Sequence, residues 1–513
     1  MKIKPHLKQV RRTAQLICLF LFLFLFRKTD YSGSDTLEYA VNIVFRMDPL
    51  VLAAMTLAQK AVLSLFWPAL SVIALTLLFG RVFCAWLCPM GTLIDISGHV
   101  IPVGHTKTHL RFVKYVLLII ILTGAVFGFQ LLGFADPFSI LVRGLAFTVD
   151  PVMNFLVSGF FDTVYSAGPQ WLSNMTEPVY SFLKDGILPF KQSFFLLSFL
   201  SFILLLVIFA LEFIGKRFWC RNLCPLGALF AIITKFSVFR RIPVKACKGC
   251  DLCTSQCPMD ALDDDGKLLS EECNLCMDCL KFCPESRTSF KFVIPKITSG
   301  VDISRRKLIA AGLAGLVLPG IARTQAISKI PDNDLIRPPG ALEETDFLAT
   351  CVRCGECMKV CIKNSLQPLF MERGVEGIFT PKLVPRLGYC EFNCTLCTQV
   401  CPTGAIQKLD LIQKHAFVMG KAYFDLNRCL VYKDKQLCIV CEEHCPVHDK
   451  AIKFTKAMVK NAQGELVELK QPYVVENNCV GCGICEYVCP VPGESAIRVV
   501  GKTTVKASRD MYG

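Results

Sequence analysis

DISRRKLIAAGLAGLVLPGIAR, residues 302–323, sets an arginine pair ahead of an apolar run of small residues, three fifths of the way along a chain of 513 residues. A stretch of this kind ordinarily opens a bacterial protein that is exported already folded. In mid-chain it divides the molecule: the part before it stays inside or in the membrane, and the part after it is carried out. Arg305 and Arg306 then mark the cytoplasmic side, and residues 308–322 lead outward. An ordinary fifth membrane helix whose SRRK is only a basic flank gives the same topology. No clear small-residue cleavage site comes after it, so the 301–325 segment is expected to remain as an anchor. Residues 326–345, with Pro331, Pro338 and Pro339, read as an extended linker.

The upstream part is greasy enough for this role. The chain is 53% hydrophobic, and its mean hydropathy is +0.47. Four long apolar segments lie near residues 14–26, 61–80, 115–132 and 193–211, close to the length a bilayer requires. Lys2, Lys4, Lys8, Arg11 and Arg12 precede the first, Arg81, Lys107 and Arg111 follow the second, and Lys216, Arg217 and Arg221 follow the fourth. The positive-inside rule makes those loops cytoplasmic and accounts for much of the net charge of +14, so nucleic acid is not expected as a partner. Residues 133–190 carry Asp136, Asp150, Asp162, Glu177 and Asp185 against Arg143 and Lys184, as an external loop would.

Twenty-nine cysteines carry the chemistry. GRVFCAWLCPMGTL (80–93) and GKRFWCRNLCPLGAL (215–229) repeat one pattern at the ends of the second and fourth segments. Residues four apart share a helix face, so Cys84 with Cys88 and Cys220 with Cys224 are able to form one four-thiolate site for a metal or an extra iron–sulfur centre. Small buried thiols beside a Pro-x-Gly turn are the alternative. Cys18 reads as packing.

CKGCDLCTSQCP (247–258) and CNLCMDCLKFCP (273–284) have the bacterial ferredoxin spacing, in which three close thiolates take three corners of a 4Fe-4S cubane and a distant Cys-Pro supplies the fourth. Cys247, Cys250, Cys253 and Cys283 are assigned to one centre, and Cys273, Cys276, Cys279 and Cys257 to the other. Zinc sites use pairs of Cys and have no need of the third. Past the arginine pair come four more motifs: Cys351, Cys354, Cys357, Cys361; Cys390, Cys394, Cys397, Cys401; Cys429, Cys438, Cys441, Cys445; and Cys479, Cys482, Cys485, Cys489. They suffice for four further clusters, six in all. The regular motifs lie outside and the stretched ones inside, which suggests pairing first with fourth and second with third.

The expected fold is thus a membrane α-helical bundle of four spans (residues 1–235) plus the anchor, with α+β ferredoxin-like 4Fe-4S domains on both sides: 236–300 cytoplasmic and 346–513 periplasmic. With its twin Cys-x-x-x-Cys-Pro motifs and dicluster tail, the first 300 residues resemble the polytopic NapH-type quinol dehydrogenase subunit of periplasmic nitrate reductase systems. Residues 301–513, with CVRCGECMKVC and CLVYKDKQLCIVCEEHCP, resemble the exported NapG-type four-cluster partner. The chain looks like the two fused. It has neither the C-x-x-C-H haem site of a cytochrome oxidase nor an extended external flavin domain like that of the related nitrous-oxide proteins.

That resemblance implies a protein of the bacterial inner membrane that draws menaquinol from the quinol pool in anaerobic respiration. Its electrons would go to a periplasmic reductase or that enzyme's carrier subunit. A copper- or iron-ion reductase or assembly factor is the second reading, though it leaves four exported clusters without a task. Quinol oxidation needs titratable groups at the membrane interface. Asp136 and Arg143 are the outer candidates, and His99, His105, His109 and Glu212 the inner ones. Hydrocarbon about 30 Å thick separates inner from outer clusters, so a continuous wire would need a relay, for which the duplicated cysteine pairs are the candidates. Reporter fusions after Thr298 are expected to be active only in the cytoplasm and fusions after Gly513 only in the periplasm; activity of both on one side would refute the division at Arg305 and Arg306.

Overall fold

The computed structural model describes residues 6–37, 41–60, 64–102, 104, 110–189, 191–242, 252–262, 268–282, 288–294, 304–323, 335–460 and 466–501. The first half is a layer of helices: α1 (His6–Lys28), α2 (Pro49–Gln59), α3 (Trp67–Phe79), α4 (Pro89–Val100), α5 (Phe112–Val126), α6 (Pro137–Ala167), α7 (Ser198–Ala210) and α8 (Pro225–Thr234). Among the described residues, Leu7–Lys28 and Pro137–Ala167 are long and apolar enough to cross a membrane, while α3, α5 and α7, at three of the four expected spans, are shorter apolar helices.

The long α6 falls where an external loop was expected. Asp136 starts it by accepting from the Ser139 N–H at 2.7 Å, and Pro137 sits in the first turn, where its missing N–H is no loss. The acids that suggested a loop are spent on the protein: Asp136 is fully buried and Asp150 nearly so. A π-helical turn, Leu145–Val149, interrupts the helix midway.

Helix α9 (Arg305–Arg323) carries the arginine pair and lies along α5. The Lys307 Nζ sits 3.4 Å from the Phe112 ring centroid. Farther on, Gly315 approaches Thr123 so closely that a Cβ there would stand 1.7 Å from Thr123 Oγ1. The two helices therefore run parallel, basic ends together, and the small residue permits the close approach.

Two iron–sulfur-type lobes sit at opposite ends of α5, a helix about 22 Å long at 1.5 Å per residue. At the basic end, the 236–300 segment is closed by antiparallel strands β1 (Phe239–Ile242) and β2 (Ser289–Phe292). Its Glu272 accepts from Lys114 at 2.7 Å and Arg81 at 3.2 Å, and its Asp260 from Arg111 at 2.6 Å and Arg221 at 3.1 Å. Arg11 donates to the Cys276 carbonyl and to Asp278, and Trp86 to the Leu275 carbonyl. At the other end Arg143 donates to the carbonyls of Gly133 and Arg353, both at 3.0 Å, and Arg353 to that of Gln130. One hydrophobic core runs through the helical layer into this second lobe.

The second lobe begins earlier than expected. Residues 335–342, read in the sequence as linker, are folded: Leu335, Ile336, Pro338 and Pro339 are buried, Ile336 bridges Leu383, and Ala341 bridges Ile406. The paired prolines that suggested a spacer fix the extended backbone such bridges need. Short antiparallel pairs come next: β3 (Leu366–Pro368) with β4 (Pro381–Leu383), β5 (Gly420–Phe424) with β8 (Ile497–Gly501), and the β6 (Ile452–Lys460) and β7 (Leu466–Val474) hairpin.

Replacing Glu272 by Ala leaves Arg81 and Lys114, both fully buried, without their anion. A loss of about 3–5 kcal/mol is expected at this docking surface, visible as faster proteolytic release of the 236–300 segment than in Glu272→Gln.

Candidate functional site

Each cysteine loop is shaped by its backbone. In three of them the residues on either side of the second cysteine adopt left-handed conformations: Leu275 and Met277, Arg353 and Gly355, Gly481 and Gly483. This repeated kink turns three thiols toward one point. The Cys-Pro thiols are then anchored from behind, with N–H donors from Ala261 to Cys257, Ile406 to Cys401 and Ala496 to Cys489, each at 3.4 Å.

The identity of the fourth thiol settles the pairing. Cys401 stands near enough to Cys351, Cys354 and Cys357 to act on the charge of each, and Cys361 does so for Cys390, Cys394 and Cys397. In the same way Cys489 joins Cys429, Cys438 and Cys441, and Cys445 joins Cys482 and Cys485 beside Cys479. The first motif thus pairs with the second and the third with the fourth, which overturns the nested pairing expected from the spacing. Extra residues in the first gap of the second and third motifs are accommodated locally and leave the exchange of fourth ligands between chain neighbours unchanged. On the other side of the helical layer Cys257 joins Cys273, Cys276 and Cys279 as expected. Cys253 lines the same cavity; Cys247, Cys250 and Cys283 lie outside the described residues.

These cradles fit 4Fe-4S cubanes. Cys253, Cys257, Cys273, Cys276 and Cys279 line one apolar cavity, and Cys445, Cys479, Cys482 and Cys485 another. Burial pushes the Cys394, Cys441 and Cys482 thiols up to about 12 and Cys390 to about 11, so these thiols give up protons on becoming ligands. Among the described residues, no group of three or more His, Cys, Asp or Glu is set to hold a single metal ion.

The Cys-x-x-x-Cys-Pro pairs converge too. Cys224 lies within electrostatic reach of Cys84, Cys88 and Cys220. Cys88 and Cys224 cap the starts of α4 and α8, their Sγ atoms accepting from the N–H groups of Gly91 at 3.5 Å and Gly227 at 3.3 Å. The repeats are cross-braced. Arg217 of the second repeat donates to the carbonyls of Cys84 and Gly91 in the first, and Arg81 of the first lies where a side chain on Gly227 would meet it at 3.1 Å. Two helix starts and two buried guanidinium groups thus lie around the four thiols. In the sequence these arginines read only as basic flank, although each stands three residues before the first cysteine of its repeat.

The candidate quinol groups are dispersed. Asp136 is sealed in the interior beside Asp48, which is equally buried. Arg143 is equally buried over the Phe379 ring. At the opposite end His99 meets Arg12 at 3.0 Å and Glu212 is buried near Arg217; His105 and His109 lie outside the described residues. Cys18 is partly buried on α1.

Fold and thiol geometry together define a ferredoxin-type iron–sulfur electron-transfer protein. A 4Fe-4S binding domain profile matches residues 61–108 and 197–243, the two Cys-x-x-x-Cys-Pro repeats. A 4Fe-4S dicluster profile matches 350–405, which encloses the Cys351 and Cys390 motifs together, and a NosR profile matches 245–293. The methylamine utilization ferredoxin-type protein MauM of Methylorubrum extorquens is 38% identical over 206 residues, covering 38% of this chain and 89% of the relative. That of Paracoccus denitrificans is 34% identical over 222 residues, 42% of this chain and 92% of the relative. The ferredoxin-type protein NapG of Haemophilus influenzae is 32% identical over 194 residues, 37% of this chain and 67% of the relative. No solved structure matches. The chain belongs to this family of ferredoxin-type proteins.

Cys401→Ser should remove the centre held with Cys351, Cys354 and Cys357, lowering iron by about four atoms per chain and erasing one reduced EPR signal. Loss instead of the centre held by Cys390, Cys394 and Cys397 would contradict the exchange.

Proposed function

We propose that the protein is a membrane-bound quinol dehydrogenase, a NapH-type membrane part fused to a NapG-type exported domain, that takes electrons from menaquinol and passes them to a periplasmic reductase such as nitrate reductase. The observation that carries the reading is the linear order of the exported cradles. The Cys351 and Cys390 sets belong to the lobe that packs on the helical layer. The Cys390 N–H donates to the Cys482 carbonyl at 2.9 Å and so joins the first lobe to the second. The Cys429 set lies at the far end, beside the outward β6–β7 hairpin.

In this reading Arg305 and Arg306 open a twin-arginine signal that is retained, and the chain resides in the bacterial inner membrane with the 346–513 domain in the periplasm. Iron–sulfur centres, six in number, supply one-electron redox chemistry. The chain's own residues hold them apart in sequence, exclude water with buried apolar walls and donate N–H groups to the thiols, which tunes potential. Support for the electron-transfer part comes from the NapG and MauM relatives.

Purified protein in liposomes should show its exported centres reduced by menaquinol, with EPR intensity for six reducible centres on addition of dithionite. Dithionite reduction without any menaquinol reduction would leave an electron carrier and remove the dehydrogenase.

A further inference from the structure

We propose that Cys84, Cys88, Cys220 and Cys224 together hold one more iron–sulfur cubane, shared between the two repeats, with the Arg81 guanidinium as its counter-charge. The 4Fe-4S profile matches each repeat separately, but a repeat supplies only two thiols and a cubane takes four. The site lies beyond the six ferredoxin-type centres and stands whether or not quinol is the electron donor.

The two repeats are laid against each other with near-twofold symmetry. In the first, a Cβ on Gly91 would stand 2.8 Å from the Cys84 carbonyl and 3.9 Å from Arg217 Nη2; in the second, one on Gly227 would stand 3.3 Å from the Cys220 carbonyl and 3.1 Å from Arg81 Nη2. Each Cys-Pro-x-Gly turn is thus folded onto the first cysteine of its own repeat, and each arginine reaches across to the glycine of the other. The crossing brings both thiol pairs to one place: Cys88 is within electrostatic reach of Cys84 and Cys220, and Cys224 of all three. Cys84, Cys88 and Cys220 are only partly buried, as are Cys273, Cys276 and Cys279 around their cavity. Thiols that merely filled a core would be closed over.

The symmetry fails at the arginines, and that is the independent sign. Arg217 is saturated: Asp95 accepts from its Nε at 2.7 Å and its Nη2 at 2.6 Å, and the carbonyls of Cys84 and Gly91 accept as well. Arg81 is fully buried, yet only its Nη1 is used, on the Glu271 carbonyl and the Glu272 carboxylate; its Nε and Nη2 have no partner among the described residues. Glu272 is bonded by Lys114 too, so these three groups leave one positive charge over. A buried cation with idle donors is costly unless an anion meets it. The idle Nη2 is the atom beside Gly227, whose own N–H is already on the Cys224 Sγ. A cubane on four thiolates is a net anion whose sulfurs accept such bonds.

The place suits a relay. Trp86, between Cys84 and Cys88, donates at 3.1 Å to the carbonyl of Leu275, between Cys273 and Cys276 of the inner set. On the other side Phe83, next to Cys84, meets the Phe138 ring of α6 at 6.2 Å. The centre takes up one electron and hands on one, and no bond to the chain changes.

The test is iron and redox-titrated EPR on the full-length protein. The wild type should hold about 28 iron atoms per chain, against about 24 for six cubanes alone. Cys84→Ala and Cys220→Ala should each remove about four, and the double variant the same four, while Cys18→Ala removes none. Arg81→Gln should keep the iron but favour the oxidised form of this one centre at least about tenfold, about 59 mV for a one-electron couple, with Arg81→Lys close to wild type. A wild-type content of about 24, iron unmoved by either cysteine substitution, losses that add in the double variant, or one zinc or copper lost in place of iron would each overturn the shared cubane.

Discussion

The exchange of a fourth cysteine between neighbouring motifs governs everything outward of the helical layer. A loop of three thiols cannot complete a cubane, so each loop must borrow from the next, and the borrowing sets two centres side by side at a spacing fixed by the chain. Repeated in the second lobe, and joined to it by an N–H to carbonyl contact from Cys390 to Cys482, it turns a one-dimensional order of motifs into a one-dimensional order of sites. Only the third and fourth motifs are met in reverse, because the Cys479 set faces the first lobe and the Cys429 set faces away.

The iron–sulfur ligands were the most legible part of the sequence, because their spacing is dictated by the cubane itself. Pairing was not legible: spacing within a motif says nothing about which neighbour lends the fourth thiol. The Pro137–Ala167 helix was hidden by Asp136 and Asp150, whose charges mimic a solvated loop until one is seen to cap a helix and the other to face Arg27. The cross-brace of Arg81 and Arg217 was hidden for the opposite reason, since the positive-inside rule already explained a basic residue there.

The contact between helical layer and second lobe is made at electrostatic cost. Arg143 and Arg353 are both buried there, and each donates chiefly to backbone carbonyls, with a charge that no carboxylate directly bonds. Such groups are tolerable because the Phe379 and Phe134 rings lie under their planes and because the thiolates of Cys351 and Cys354 would bring negative charge close by.

The parallel contact of α9 with α5 bears on assembly. The eleven residues from 324 to 334 join the end of α9 to the first described residue of the lobe, and a chain of that length reaches at most about 40 Å. A lobe held so near its seat meets it at an effective concentration in the millimolar range, whereas two separate subunits would have to find each other by diffusion. Stoichiometry is then fixed by the gene: every helical layer carries its own second lobe, held beside the contacts that seat it.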